Sequence, residues 1–164
     1  MDAIASRVDL TVPALYRHFE DKADLLMAAI EQALSRLWTA HYEEEVTSLT
    51  SEVIPEHVAK YALPDGRQLF RLVIEIHAGA TRDKGVAKVL SRFNFGARNF
   101  LAQGLRSGPL PDDLDAVRSA DLLNVIMMGL MHIETLAPER LRDPQWPGFV
   151  AGAVEQLLGV RQDE

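Results

Sequence analysis

Residues 2–26 read DAIASRVDLTVPALYRHFEDKADLL, and this stretch decides the fold. Ile4 and Val8 lie one turn apart, which predicts a short helix over 2–8. Asp9-Leu10-Thr11 follows as a turn, with Thr11 a good N-cap and Pro13 tolerated in the first helical turn behind it. A second short helix then runs to about Phe19, with Leu15 and Phe19 on one face. Glu20-Asp21 opens a long helix to about Glu45, placing Leu26, Ile30, Leu34 and Leu37 on a buried stripe. Two short helices joined by a tight turn and followed by a long helix form a helix-turn-helix, whose second helix enters the major groove of DNA. Ala5 is small enough for the helices to cross closely, and Ile4, Val8, Leu10, Leu15 and Phe19 supply a miniature core. Thr11, Val12, Pro13, Ala14, Tyr16, Arg17 and His18 point outward and remain for DNA.

Outward from this stretch, nearly every segment keeps helical period, and no clean alternation or hairpin turn appears. The segment 46–66, with Pro55, Pro64 and Gly66, is expected to be irregular. Helices follow over about 67–80 and 86–106, separated by Asp83-Lys84-Gly85. Ser107-Gly108-Pro109-Leu110-Pro111 is a firm stop, and Asp115 caps a helix reaching about Leu136. A linker bounded by Ala137-Pro138 and Asp143-Pro144 leads to a last helix over about 147–159. The fold class is all-α, with a head over 1–22 and a larger body over 23–164.

The chain has 164 residues, 48% apolar and 25% charged, as in an ordinary globular protein. It lacks cysteine, so disulfides, thiol nucleophiles and cysteine-rich zinc sites are excluded. Residues 1–10 carry Asp2, Arg7 and Asp9 and do not resemble a signal peptide, and the longest apolar run, Val125 to Met131, is too short to cross a bilayer. A cytoplasmic protein with no membrane partner is expected. The net charge of −7 argues against a generic nucleic-acid coat, which gains from counterion release over a basic surface. It leaves room for a small DNA-reading head: Arg7, Arg17, Lys22 and His18 stand against Asp2, Asp9, Glu20 and Asp21, so the acidity lies mostly downstream.

The run Leu15-Tyr16-Arg17-His18-Phe19, with Lys22 and Leu25-Leu26 behind it, closely resembles the signature of the tetracycline-repressor (TetR) family of transcriptional regulators. An isolated Tyr or His is more often an ordinary bundle side chain; the co-linear run carries the resemblance. It implies that Tyr16 and His18 bind phosphates and that Lys22 grips the DNA backbone. Thr11, Val12, Pro13, Ala14 and Arg17 would face phosphates or base edges, Arg17 being the strongest candidate for a bidentate guanine contact. Asp9 stands where the family usually has glycine, a position Asp tolerates at some cost. The family also has a helix before the motif, whereas this sequence starts inside it, at Met1-Asp2; weak DNA binding is expected of the chain as written and tight binding of one extended upstream. The resemblance further implies a homodimer formed by the last two helices, a small-molecule effector, and repression of a near-palindromic operator relieved by that ligand.

The residues of the body add to this. The stretch 122–133 is apolar almost all round, so its helix must be covered on both sides. Leu122, Ile126, Gly129, Leu130 and Ile133 fall on one side, where aliphatic residues and a glycine suit close packing across a dimer. Phe149, Ala153 and Leu157 on the last helix would join them. Asn124, Met127, Met128, Met131 and His132 cluster on the other side, a methionine-rich face suited to an adaptable ligand cavity. Phe70 and His77, Phe93 and Phe100, and Trp38 on the long helix could complete an aromatic, apolar lining for a hydrophobic or aromatic effector.

Catalytic residues, cofactors and metal ligands are not expected. No nucleophile elbow, phosphate loop or paired His/carboxylate pattern is present, and His41, His57, His77 and His132 lack metal-ligand spacing. The alternatives are an all-α small-molecule-binding protein or enzyme that uses the cavity without DNA, and a dimer that does not bind DNA.

Overall fold

The structure, a computed structural model, describes residues 2–7, 9, 11–39 and 49–160, without the side chains of 2–4, 15 and 22. The described residues form helices and turns with no strand. The head holds α1 (Asp2–Arg7) and α2 (Val12–Tyr16). Between them Asp9 takes the left-handed conformation, at φ 52°. Thr11 caps α2: the Ala14 N–H donates to its carbonyl at 2.9 Å and lies 3.3 Å from its hydroxyl oxygen. Ala5 is buried where the short helices meet, and Phe19 is half-buried. The other expected members of the miniature core, Ile4, Val8, Leu10 and Leu15, lie outside the described residues or side chains.

A reciprocal cap starts α3 (Lys22–Trp38). The Asp24 N–H donates to the Asp21 carboxylate at 2.8 Å, and the Asp24 carboxylate accepts from the Glu20 N–H at 3.0 Å. Ile30, Leu34 and Leu37 form its buried stripe. Leu26 does not join them; it is 50% exposed, and its neighbour Met27 is the residue that packs against the body. The expected continuation of this helix to Glu45 lies outside the described residues.

The segment expected to be irregular holds α4 (Ile54–Ala59) and a 3-10 turn over Lys60–Ala62. Pro55 sits in the first turn of α4, where its missing N–H costs nothing, so it starts this helix instead of breaking it. Ile54, Val58, Tyr61 and Ala62 are buried, and α4 packs mainly against α9. The remaining elements are α5 (Arg67–Ala80), α6 (Lys84–Arg106), α7 (Ala116–Met131), α8 (Ile133–Leu136), a 3-10 turn over Pro138–Arg142, and α9 (Trp146–Leu158). Asp83 caps α6 through the Gly85 and Val86 N–H groups, and Asp115 caps α7 through the Arg118 N–H at 2.8 Å. The helix expected to reach Leu136 in one piece breaks at His132.

The main core joins α4, α5, the C-terminal half of α6, α7 and α9, with Phe70, Leu101, Leu105, Leu123 and Leu158 at its centre. A smaller cluster of Ile30, Ala33 and Leu34 with Ile76, Val86, Val89 and Leu90 fastens α3 to the adjoining ends of α5 and α6. Arg67 ties the break after α7 to the rest. Its buried guanidinium donates to the carbonyls of Tyr61 and Leu63 and, at 3.1 Å, to that of Leu130 near the end of α7. Burial pushes its pKa down from the ordinary arginine value, and Glu134 opposes that shift.

Candidate functional site

In the head, Thr11, Pro13, Tyr16, Arg17 and His18 are exposed, while Val12 and Ala14 are half-buried along α2. The turn at Asp9 sets the angle between α1 and α2, and the Thr11 cap fixes where α2 begins, so one face of a very short helix presents Tyr16 and its neighbours to solvent. Lys22 opens α3 directly behind this face; its side chain lies outside those described.

In the body a cavity of about 540 Å³ lies among α3, α5, α6 and α7. Its floor is Leu37, Tyr61, Val73, Met127 and Met131, all buried. Ser91, Asn94, Phe95, Asp121 and Val125, all exposed, stand around its mouth with half-buried Arg98. Of the residues expected to line a ligand site, His77, Phe93, Asn124, Met127, Met128 and Met131 border this cavity. The His77 Nδ1–H donates to the Val73 carbonyl at 2.8 Å, which turns the ring along its own helix and leaves Nε2 available.

Four expected lining residues are placed elsewhere. Trp38 and Phe100 pack against each other edge to face at 5.9 Å, and Trp38 also meets Phe93 and lies over Gly96, so its ring is taken up in holding α3 to α6. Phe70 stacks on Tyr61 at 5.4 Å beneath Arg67 and belongs to the core. His132 sits at the break after α7, its Nδ1–H donated to the Met128 carbonyl at 2.8 Å. Of the polar mouth the sequence reading named Asn124 and missed Ser91, Asn94, Arg98 and Asp121. Ser91, Asn94 and Arg98 are spaced i, i+3, i+7 along α6, and Asp121 and Asn124 i, i+3 along α7, which is a legible signal once those two helices are known to face each other.

The outer side of α7 carries Leu122, Val125 and Gly129, with Val125 67% exposed and Gly129 open enough that a Cβ would meet nothing within 4 Å. On α9, Phe149 is 68% exposed, Ala153 and Leu157 are exposed, and Gly148 and Gly152 are equally open. Phe149 is held by stacking on Trp146 at 5.5 Å. Leu130 and Ile133, expected on this face, are buried within the chain, and Ile126 is half-buried against the core. The expected face was rotated by more than half a residue step: at about 100° per residue, Leu123, Met127, Leu130 and Met131 group on one side and Leu122, Val125 and Gly129 nearly opposite. The break at His132 then turns Ile133 inward.

A tight-turned pair of short helices on a capped long helix, carried by an all-α body with a cavity, is a helix-turn-helix head on a helical body. Residues 1–29 match the family described as bacterial regulatory proteins, tetR family. Among solved structures the fold is similar to that of Salmonella enterica GusR, with a TM-score of 0.77 and 22% identity over 97% of this chain and 84% of that one. No curated protein matches the sequence. None of the helices among the described residues is long and apolar enough to cross a membrane.

Proposed function

We propose that the protein is a ligand-responsive repressor that binds a near-palindromic operator as a homodimer and leaves it when a small hydrophobic effector fills the cavity. The observation that carries this reading is the double use of α7. One flank borders an apolar cavity of small-molecule size, and the other exposes an apolar, glycine-containing stripe continued by α9. A second copy covering the Leu122–Val125–Gly129 and Phe149–Ala153–Leu157 faces would set two heads on a two-fold axis, the symmetry of a palindromic site. Val125 belongs to both the stripe and the cavity mouth, so partner and ligand would meet there.

Signal would pass to the head through α3. Leu37 at its far end lines the cavity, Asp21 at its near end caps it beside the recognition helix, and roughly 25 Å of helix joins them. On DNA, Tyr16, His18 and Lys22 would hold phosphates and Arg17 would reach a guanine edge, with Thr11, Val12, Pro13 and Ala14 against the groove.

Titration of DNA flanking the protein's own gene, at fixed salt, tests this. We expect a dimer–DNA complex in which Arg17→Ala relaxes preference at one base pair per half-site and Lys22→Ala weakens all sequences alike. Absence of any specific complex, with ligand binding and dimer retained, would favour a dimeric small-molecule-binding protein without DNA affinity.

A further inference from the structure

We propose that the effector carries a carboxylate at one end of an apolar body, and that Arg98 binds that carboxylate at the cavity mouth; this rests on the cavity being the effector site. The cavity has two chemical zones. Leu37, Val73, Met127 and Met131 make a water-poor floor, whereas Asn94, Arg98 and Asp121 gather at the mouth. Among the described lining residues Arg98 is the only lysine or arginine. Its guanidinium lies over the Phe95 ring, 4.9 Å from the centroid, which holds the fork in place.

The Arg98 Nε is shut off from solvent and has no hydrogen-bond acceptor within reach among the described residues. The Asp121 Oδ1 atom stands 4.0 Å away, at ion-pair distance but beyond the roughly 2.7–3.2 Å of an N–H···O bond, and the Asp121 side chain is more than half exposed. With Nε sealed, a ligand in the cavity can meet only the Nη groups of this side chain, which is 32% exposed and lines the cavity. A hydroxyl or amide oxygen could meet one Nη alone. A carboxylate can meet both Nη groups together, in the planar geometry of the guanidinium fork. The remaining volume, within about 300–1,000 Å³ for small-molecule sites, suits an aliphatic chain or aryl group pointing to the methionines.

Calorimetry on the full chain at neutral pH tests this with matched pairs, decanoate against decanol and 3-phenylpropionate against 3-phenylpropanol. We expect each acid to bind about tenfold more tightly than its alcohol, the step that a charge-assisted pair contributes. Arg98→Gln should erase that preference and leave the alcohols within about twofold, and Arg98→Lys should keep part of it, both variants being checked by thermal melting. Met128→Trp, which fills the cavity, should abolish binding of all four probes. Acids and alcohols binding the wild type equally, or Arg98→Gln weakening both alike, would overturn the assignment while the cavity stands. Failure of all four probes to bind, or binding indifferent to Met128→Trp, would overturn the cavity reading and this inference with it.

Discussion

Leu123 and Val125 are two residues apart on α7 and both aliphatic, yet one has no solvent contact and the other is two-thirds exposed. Leu123 sits with Met127, Leu130 and Met131 in the main core; Val125 stands with Leu122 and Gly129 on the opposite side, where nothing among the described residues covers them. The lesson is that one helix carries two apolar faces of similar composition that differ in where their cover comes from. The inner face is a folding surface, complete within one chain. On the proposed dimer the outer face is an association surface, and its exposure would be tolerable to the extent that another molecule removes it from water.

The largest effect should come from breaking the inner face. Leu123→Ala removes a fully buried side chain from the centre of the main core and should cost about 2–5 kcal/mol in urea unfolding, the range for buried leucine truncation. A loss no greater than that of an exposed leucine would place the core elsewhere.

Val125→Asp breaks the outer face. In the monomer the carboxylate would stay in water, so the chain should still fold; in the dimer it would be buried without a partner. Such a charge costs about 3–5 kcal/mol, so the dimer should weaken by about a hundredfold or more in analytical ultracentrifugation, and the melting midpoint should lose its dependence on concentration. Unchanged mass for the soluble variant would show that α7 does not form the interface.

A smaller change sharpens the contrast. In the Val125→Asp background, Gly129→Ala adds a methyl that meets nothing and should stabilise the helix by roughly 0.5–1 kcal/mol. In the otherwise native chain the same methyl should weaken dimerisation, because the glycine allows close backbone approach. Stabilisation without loss of dimer would mean that the glycine faces solvent in the assembly too.

The smallest effect concerns the turn beyond α7. Arg71 on α5 donates to Glu134 on α8 through Nε and Nη2, both at 2.8 Å. That hydrogen-bonded guanidinium holds the Glu134 carboxyl below its usual range. A carboxyl depressed in the folded state contributes stability above its unfolded value, about 4.3, and loses it as the pH falls through the lower folded value. Glu134→Gln should therefore lower the melting temperature slightly at neutral pH, with the difference vanishing in more acidic solution. A difference that grew on acidification would contradict the pair.

The helix-turn-helix was legible because its parts are local. Thr11 as a cap, Asp9 in the turn and the Tyr16–Arg17–His18 run occupy consecutive positions, and each position's role follows from its immediate neighbours. The cavity was partly legible. The methionines of α7, with Asn124 and His77, border it as their clustering suggested, but Trp38, Phe70 and Phe100 were spent on packing between helices. Aromatic character marks burial and says little about whether the buried side chain faces a void or another ring. Arg98 and its polar neighbours escaped notice because a charged residue at helical spacing usually marks a solvated face.

The sequence by itself determined the helical class, the caps at Thr11 and Asp115, and the recognition stretch, since all of these depend on residues within a few positions of one another. Tertiary structure alone decided which way α7 is rotated, that Pro55 starts a buried helix, and that Leu130 and Ile133 turn inward while Val125 faces out. A helix apolar on all sides leaves its own rotation undetermined. Contacts from distant segments fix it: α4, α5 and α6 compete for its surface, and Arg67 pins its last turn through the Leu130 carbonyl.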